Sequence, residues 1–367
     1  MTHGAACAVE AQTKVLRSMH EARVLVVDDS AAMRALFSDI LDQTKNVRVV
    51  GAAASAADAR EQIADLKPNV ITLDVEMPGM SGIDFLEEIM ESSPLPVVML
   101  SSLTQAGTET SLKAFELGAV ECFPKPLKAT PEQFAKTVGK LGKIVLAAAN
   151  SNVRDRHKLQ AKREAAAAAA AEAPRFAWNG RFVAFSASMG GIDALTTILA
   201  DWPDECPPTV ICLQTEPMLA ETFIKRLDAD LKCSVKIARD GAPLAQGTIH
   251  IAADPERHVV VEPGQPPKIR LMEREPVEGA RPSANLLYGS IARAGIPAVG
   301  ALLTGMGNDG AKGLKLLHDS GMDTLVQDPR SALVSEAPAA AIALDPSVAQ
   351  VPLDDLGERV IGLCNQS

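Results

Sequence analysis

Three carboxylates, a hydroxyl and an ammonium stand at the ends of short apolar runs early in the chain. Asp28 and Asp29 follow VLVV, Asp74 ends NVITLD, Ser101 follows VVML, and Lys125 follows AVECFP. If these runs are parallel strands, their carboxyl ends share one edge, where open α/β sheets take their ligands. Carboxylates crowded there cannot all ionise comfortably without a cation. Hard oxygen ligands with room for water and phosphate oxygens suit Mg²⁺. A carboxylate in such a site can attack a phosphoryl donor. The metal, Lys125 and Ser101 would then neutralise the transferred group.

A second constellation lies beyond residue 180. FSASMGGIDAL reads as a strand, a tight turn of small residues and a helix. Such a turn lifts a serine hydroxyl out of a sheet edge, and the helix N-terminus behind it offers N–H groups to an oxyanion. LLTGMGNDGAKG repeats the geometry with one acid, Asp309. A Ser and an Asp on neighbouring strand ends are two thirds of a hydrolase triad.

The elements that must position these groups follow from hydrophobic periodicity. From Arg23 to about residue 125, five apolar strand-like runs alternate with helical patterns such as ADAREQIADL and IDFLEEIMES. Short connections between alternating strands and helices imply a parallel sheet covered on both faces. Alternation resumes after Arg181, with TIHIAA and HVVVEPG reading as an antiparallel hairpin within a second, mostly parallel domain. The expected layout is an extension at 1–20, a first domain at 21–140, an Ala- and charge-rich linker at 141–178 and a second domain at 179–367. The stretch RDRHKLQAKREAAAAAAAEAP has too few large apolar residues to make a core.

Composition narrows the function classes. A net charge of -10 argues against nucleic acid, whose backbone calls for an excess of Lys and Arg. No run of eighteen apolar residues predicts a membrane span, and Glu10, Lys14 and Arg17 interrupt any signal-peptide core. The six cysteines form no CxxC pair and no zinc-ligand spacing. They read as single thiols in a reducing cytoplasm.

VLVVDDS, ITLDVEMPGMSG, VVMLSS and FPKP together resemble the receiver domain of two-component signalling. The resemblance implies a flavodoxin-like, five-stranded parallel sheet and phosphorylation of Asp74 by a histidine kinase of the chemotaxis type. It also implies Mg²⁺ held by Asp29, Asp74 and the backbone carbonyl of Glu76, with Asp28 supporting, and Ser101 and Lys125 as switch residues. One position departs from it. Three residues before Lys125, where receivers often carry an aromatic, stands Cys122.

LLTGMGNDGA, RPSANLLYGSIA and the Q-x-x-P after the second strand of the later domain resemble the effector domain of the CheB chemotaxis methylesterases. That implies a doubly wound α/β protein-glutamate methylesterase and glutamine deamidase. It would act on methyl-accepting chemoreceptors, need no cofactor in its effector domain, and use Ser188 as nucleophile and Asp309 to orient the base. The family places the basic histidine directly after the glutamine, and here Gln214 is followed by Thr215. A threonine hydroxyl is no useful base near neutral pH, and a serine without a base is a poor nucleophile. His258 is the candidate surrogate. Neighbouring positions depart as well, including Ser186, Met189 and Glu336. Two functions follow: a phosphorylation-regulated methylesterase, or a catalytically impaired regulator that accepts phosphoryl groups and binds receptors or another partner.

Overall fold

The computed structural model describes residues 21–101, 105–125, 131–153 and 176–366. The expected extension at 1–20 and the linker stretch 154–175 lie outside the described residues. The described residues fall into two compact units, 21–153 and 176–366.

In the first unit strands and helices alternate in the expected order. They are β1 (Ala22–Val27), α1 (Ala31–Asp42), β2 (Val47–Ala53), α2 (Ala56–Leu66), β3 (Val70–Asp74) and α3 (Gly82–Ser92), then β4 (Val97–Ser101), α4 (Gln105–Leu117), β5 (Glu121–Pro124) and α5 (Pro131–Ala149). The strands pair in the order β2-β1-β3-β4-β5, every pair parallel. β3 and β4 are buried throughout, which is why they read as unbroken apolar runs rather than alternating ones. Ser30, Ser55 and Ser81 cap α1, α2 and α3, each side chain accepting a backbone N–H from the first turn. Each cap is worth about 1 kcal/mol.

α5 runs past residue 140, where the sequence pattern places the end of this domain. Leu141, Ile144, Val145 and Ala148 are buried, and the helix packs on β1, β3 and β4. The first turns of the expected linker are therefore core. Their helical spacing is clear, but the alanine richness downstream masks it.

The second unit contains β6 (Phe182–Ala187), α6 (Gly191–Leu199), β7 (Thr209–Leu213), α7 (Pro217–Asp230), β8 (Ser234–Ile237), β9 (Thr248–Ala252), β10 (His258–Glu262) and β11 (Lys268–Met272). It continues with α8 (Ala284–Ala294), β12 (Ala298–Leu302), α9 (Ala311–Asp319), β13 (Asp323–Gln327), α10 (Glu336–Leu344), β14 (Ala349–Val351) and α11 (Leu353–Cys364). Seven strands form one sheet in the order β14-β13-β12-β6-β7-β9-β8, with all pairs parallel.

The expected hairpin of TIHIAA with HVVVEPG does not form. β9 lies between β7 and β8 in the parallel sheet, while β10 pairs antiparallel with β11. The short gap between the two runs looks like a hairpin loop, but the far edge of β7 is better served by a buried strand, and β9 is buried from its second residue onward. The sequence pattern alone assigns no element to β8, β11, β14 or α11.

In both sheets the chain leaves its first strand toward one side and later returns to the other. β1 lies between β2 and β3, and β6 lies between β7 and β12. The crevice at the carboxyl ends of such a pair is where α/β sheets bind ligands. Among the described residues no helix is long and apolar enough to cross a membrane.

Candidate functional site

The switch point of the first sheet gathers the groups expected there. Asp28 follows β1, Asp74 ends β3, Ser101 ends β4 and Lys125 follows β5. Register holds them together: Val27 pairs with Leu73, Asp74 with Leu100 and Ser101 with Pro124. The N–H of Lys125 donates to the Ser101 carbonyl at 2.8 Å. The Lys125 ammonium lies 2.9 Å from Asp28 Oδ2 and 2.7 Å from Asp74 Oδ2. Asp28 is fully buried and Asp74 is 3% exposed, so these ion pairs are shielded from solvent.

Burial pushes the Asp74 carboxyl above the usual carboxylate range. The bonds from Lys125 pull it back, and the charge of Asp28 adds to the rise. Burial also acts to lower the Lys125 ammonium, but its two carboxylate partners outweigh that and hold it above its ordinary value. Oxygens of Asp28, Asp29 and Asp74 all lie within 4.8 Å of one another, a donor set that fits a hard divalent cation. Glu76 is exposed, and its N–H donates to Asp74 Oδ1 at 3.2 Å.

Two features of this end are not legible in the sequence. Gly82 opens α3 so close to β3 that a Cβ there would lie 1.8 Å from the Asp74 carbonyl oxygen. Cys122 is buried, its thiol facing the Ser111 carbonyl at 3.7 Å, and Ser111 Oγ donates to Ser101 Oγ at 3.4 Å. Where receivers often carry an aromatic ring, this chain has a compact polar thread linking β4, α4 and β5.

At the switch point of the second sheet, Ser188 follows β6 in a turn closed by Gly190 at φ 76°. The Ser188 N–H donates to the Thr304 carbonyl at 3.1 Å, and its carbonyl accepts from Gly191 N–H at 2.8 Å. The first bond ties the serine to the loop after β12, and the second closes its own turn. The Met306 N–H donates to Ser188 Oγ at 3.0 Å. A Cβ at Gly305 would lie 2.4 Å from that oxygen, so only glycine lets the loop approach so closely.

Asp309 lies on the same loop, and its carboxylate braces the start of α8. It accepts from Ala284 N–H at 2.7 Å, Asn285 N–H at 3.3 Å, Ser283 Oγ at 2.7 Å and Gln214 Nε2 at 2.8 Å. A carboxylate at a helix N-terminus satisfies orphan donors and complements the dipole. Gln214, next to Thr215, is therefore the side chain that reaches Asp309 from β7. The neighbouring Glu216 caps α7 through Leu219 N–H at 3.0 Å.

The surrogate role expected of His258 does not fit its surroundings. The ring is fully buried. Its Nδ1 accepts from Ser283 N–H at 3.1 Å, and its Nε2 lies 3.1 Å from the Glu275 carbonyl. The tautomer this pattern requires has its proton on Nε2 and its one lone pair already engaged. Such a ring fastens β10 to the segment before α8 and has nothing left with which to take a proton from Ser188. His250 is buried on β9, and burial holds it below its ordinary range. His318 on α9 pairs with Thr324 Oγ1 at 2.9 Å.

Glu336 opens α10 and accepts from Gly307 N–H at 2.8 Å. Successive amides of one loop thus serve the serine and a carboxylate. Nothing in the spacing of the sequence indicates this contact.

Comparison with known proteins covers both units. The family model for the response regulator receiver domain matches residues 24–137, and the one for CheB methylesterase matches residues 183–360. A protein-glutamate methylesterase/protein-glutamine glutaminase 1 from Caulobacter vibrioides is 42% identical, over 95% of this chain and 99% of its own length. A protein-glutamate methylesterase/protein-glutamine glutaminase from Agrobacterium fabrum is 41% identical, over 93% of this chain and 96% of its own. Among solved structures, the response regulator domain of Thermotoga maritima CheB is 41% identical with a TM-score of 0.32, covering 35% of this chain and 96% of that one.

Proposed function

The chain belongs to the CheB methylesterase family, with a response regulator receiver domain ahead of the methylesterase domain, and from that premise we propose that phosphorylation of Asp74 controls a slow esterase whose nucleophile is Ser188. The family is one of hydrolases, and the chain is a CheB-type response regulator. The domain spans we assign are 21–153 for the receiver and 176–367 for the effector.

In the receiver, Asp74 is the nucleophile toward a chemotaxis-type histidine kinase or a small phosphodonor. Asp28, Asp29 and Asp74, with the carbonyl of Glu76, would hold Mg²⁺, which shields charge on the phosphoryl oxygens when bound. Lys125, already bound to two carboxylates, turns toward the new phosphoryl group. Ser101 follows it and draws on Ser111 and α4. This reading is supported by the convergence of an ammonium and two buried carboxylates at one switch point.

In the effector domain, Ser188 attacks the side-chain carbonyl of a methylated or amidated receptor glutamate, expelling methanol or ammonia, and water then hydrolyses the acyl-serine to free the glutamate. The Met306 N–H, which donates to Ser188 Oγ in the free protein, turns to the substrate's carbonyl oxygen as that oxygen becomes an oxyanion. Asp309 and Gln214 hold α8 and β7 around the pocket. The missing part is the base. With Thr215 at the histidine position and His258 committed to backbone partners, the serine proton must leave to solvent. Losing one triad member leaves only the residual rate supplied by the oxyanion donors and binding.

The His258 geometry also favours a second reading, a receiver-gated binding protein on an esterase scaffold. The deciding experiment is methanol release from methylated chemoreceptor after treatment with a small phosphodonor. Ser188→Ala and Asp74→Asn serve as controls. Release that needs both residues supports the slow esterase. Release equal to that of Ser188→Ala leaves only the binding protein.

A further inference from the structure

The loop after β12 presents two consecutive backbone donors beside the serine. The Met306 N–H is directed at Ser188 Oγ and the Gly307 N–H at Glu336 Oε2. The loop is fixed on both sides. Gly305 N–H donates to the Val334 carbonyl and the Gly305 carbonyl accepts from Ala337 N–H, both at 3.0 Å. The segment that carries Glu336 is thus bonded to the glycine loop through backbone atoms as well as through the carboxylate. Glu336 is half-buried, and Ser335, at the cap position of α10, makes no side-chain cap bond.

Ester hydrolysis at Ser188 passes through a tetrahedral species with a full negative charge on the former carbonyl oxygen. Backbone N–H groups that converge on that oxygen stabilise it. A carboxylate bound to the Gly307 N–H, one residue from the Met306 donor, would have two effects. It withdraws a donor, and its charge repels the anion as it forms. A neutral ester or carboxamide, before attack, is little affected by either.

We propose that Glu336 is a resident anion in the oxyanion pocket of Ser188, admitting neutral acyl side chains while opposing the anionic intermediate. The proposal rests on the reading of Ser188 as nucleophile. It makes Glu336 a positioning and specificity residue, since it acts through the Gly307 amide. It also predicts that restoring a base at position 215 is not enough to recover the full rate.

The test uses the full-length protein and two probes. One is a short peptide in which the glutamyl methyl ester is replaced by a methyl phosphonate monoester, an anion shaped like the intermediate. The other is its neutral methyl ketone counterpart. Binding is measured by calorimetry for wild type, Glu336→Gln and Glu336→Ala, with folding checked by near-ultraviolet circular dichroism. Both variants should bind the phosphonate at least tenfold more tightly than wild type, with the ketone unchanged. Glu336→Gln keeps an acceptor for Gly307 and removes only charge. If it binds the phosphonate like wild type, or if neither variant binds it measurably, the proposal is overturned. If Glu336→Ala weakens both probes while Glu336→Gln changes neither, Glu336 only props the loop.

A kinetic readout separates this idea from the reading beneath it. In a Thr215→His background, Glu336→Gln should raise kcat with KM nearly unchanged, because the oxyanion exists only after attack. If turnover in the Thr215→His background is unchanged by Ser188→Ala, the assignment of Ser188 as nucleophile fails. The phosphonate affinities still decide the role of Glu336.

Discussion

At the scale of the residue, Lys125 is where the receiver site balances its charge. Its ammonium neutralises two carboxylates that are almost entirely buried. Breaking such a cluster by removing one partner leaves uncompensated charge, at a cost of about 3 kcal/mol. Lys125→Met should lose that much stability in urea with a chelator present, and millimolar Mg²⁺ should restore most of it. The pH dependence has a definite sign. Asp74 is raised in the folded state, so its ionisation favours the unfolded chain. In the metal-free variant the Asp74 contribution is therefore fully present below pH of about 4 and is lost as pH rises. This is the reverse of an ordinary salt-bridged carboxylate, and urea melts across pH would reveal it. Asp28, Asp74, Ser101 and Lys125 were legible in the sequence because each stands where an apolar run stops. The engagement of His258 was not, because its partners Ser283 and Glu275 belong to a segment that only the fold brings beside β10.

Between elements, close approach decides function more than composition does. α3 starts against the end of β3, and Gly82 N–H donates to the Val75 carbonyl at 2.9 Å. Gly82→Ala would drive a methyl group into the Asp74 carbonyl. It should cost about 2 kcal/mol or more and slow phosphodonor labelling even where the fold survives, as time courses with a small donor would record. Asp309 is the corresponding brace in the second unit. Asp309→Asn removes charge from three hydrogen bonds at the start of α8 and one from Gln214 and should lose about 2 kcal/mol. Amide exchange at Ala284 and Asn285 should accelerate more than at the helix end. The strand pattern revealed which runs are buried but not which neighbours they choose. β9 reads as half of a hairpin and sits instead in a parallel sheet, because pairing partners are set by the open edge of β7, far away in sequence.

For the whole molecule, the sequence pattern shows two α/β units, and α5 carries buried residues beyond the boundary expected at residue 140. Leu141, Ile144, Val145 and Ala148 complete the first core. Each large apolar side chain contributes about 1.5–3 kcal/mol on burial, a large share of a domain's total stability. A fragment of residues 21–153 should fold cooperatively and accept phosphate on Asp74, whereas a fragment of residues 21–140 should be unfolded or molten. Urea titration followed by circular dichroism compares the two directly. The bracing role of Asp309 bears on how related chains are classified. An acid that holds the start of a helix is kept by selection for folding, whether or not the neighbouring serine ever reacts. A survey that counts a surviving Ser and Asp as evidence of an active hydrolase would not register the threonine that stands where the family has its histidine. Position 215 carries the information about turnover that the brace does not, because the base and the brace are different residues.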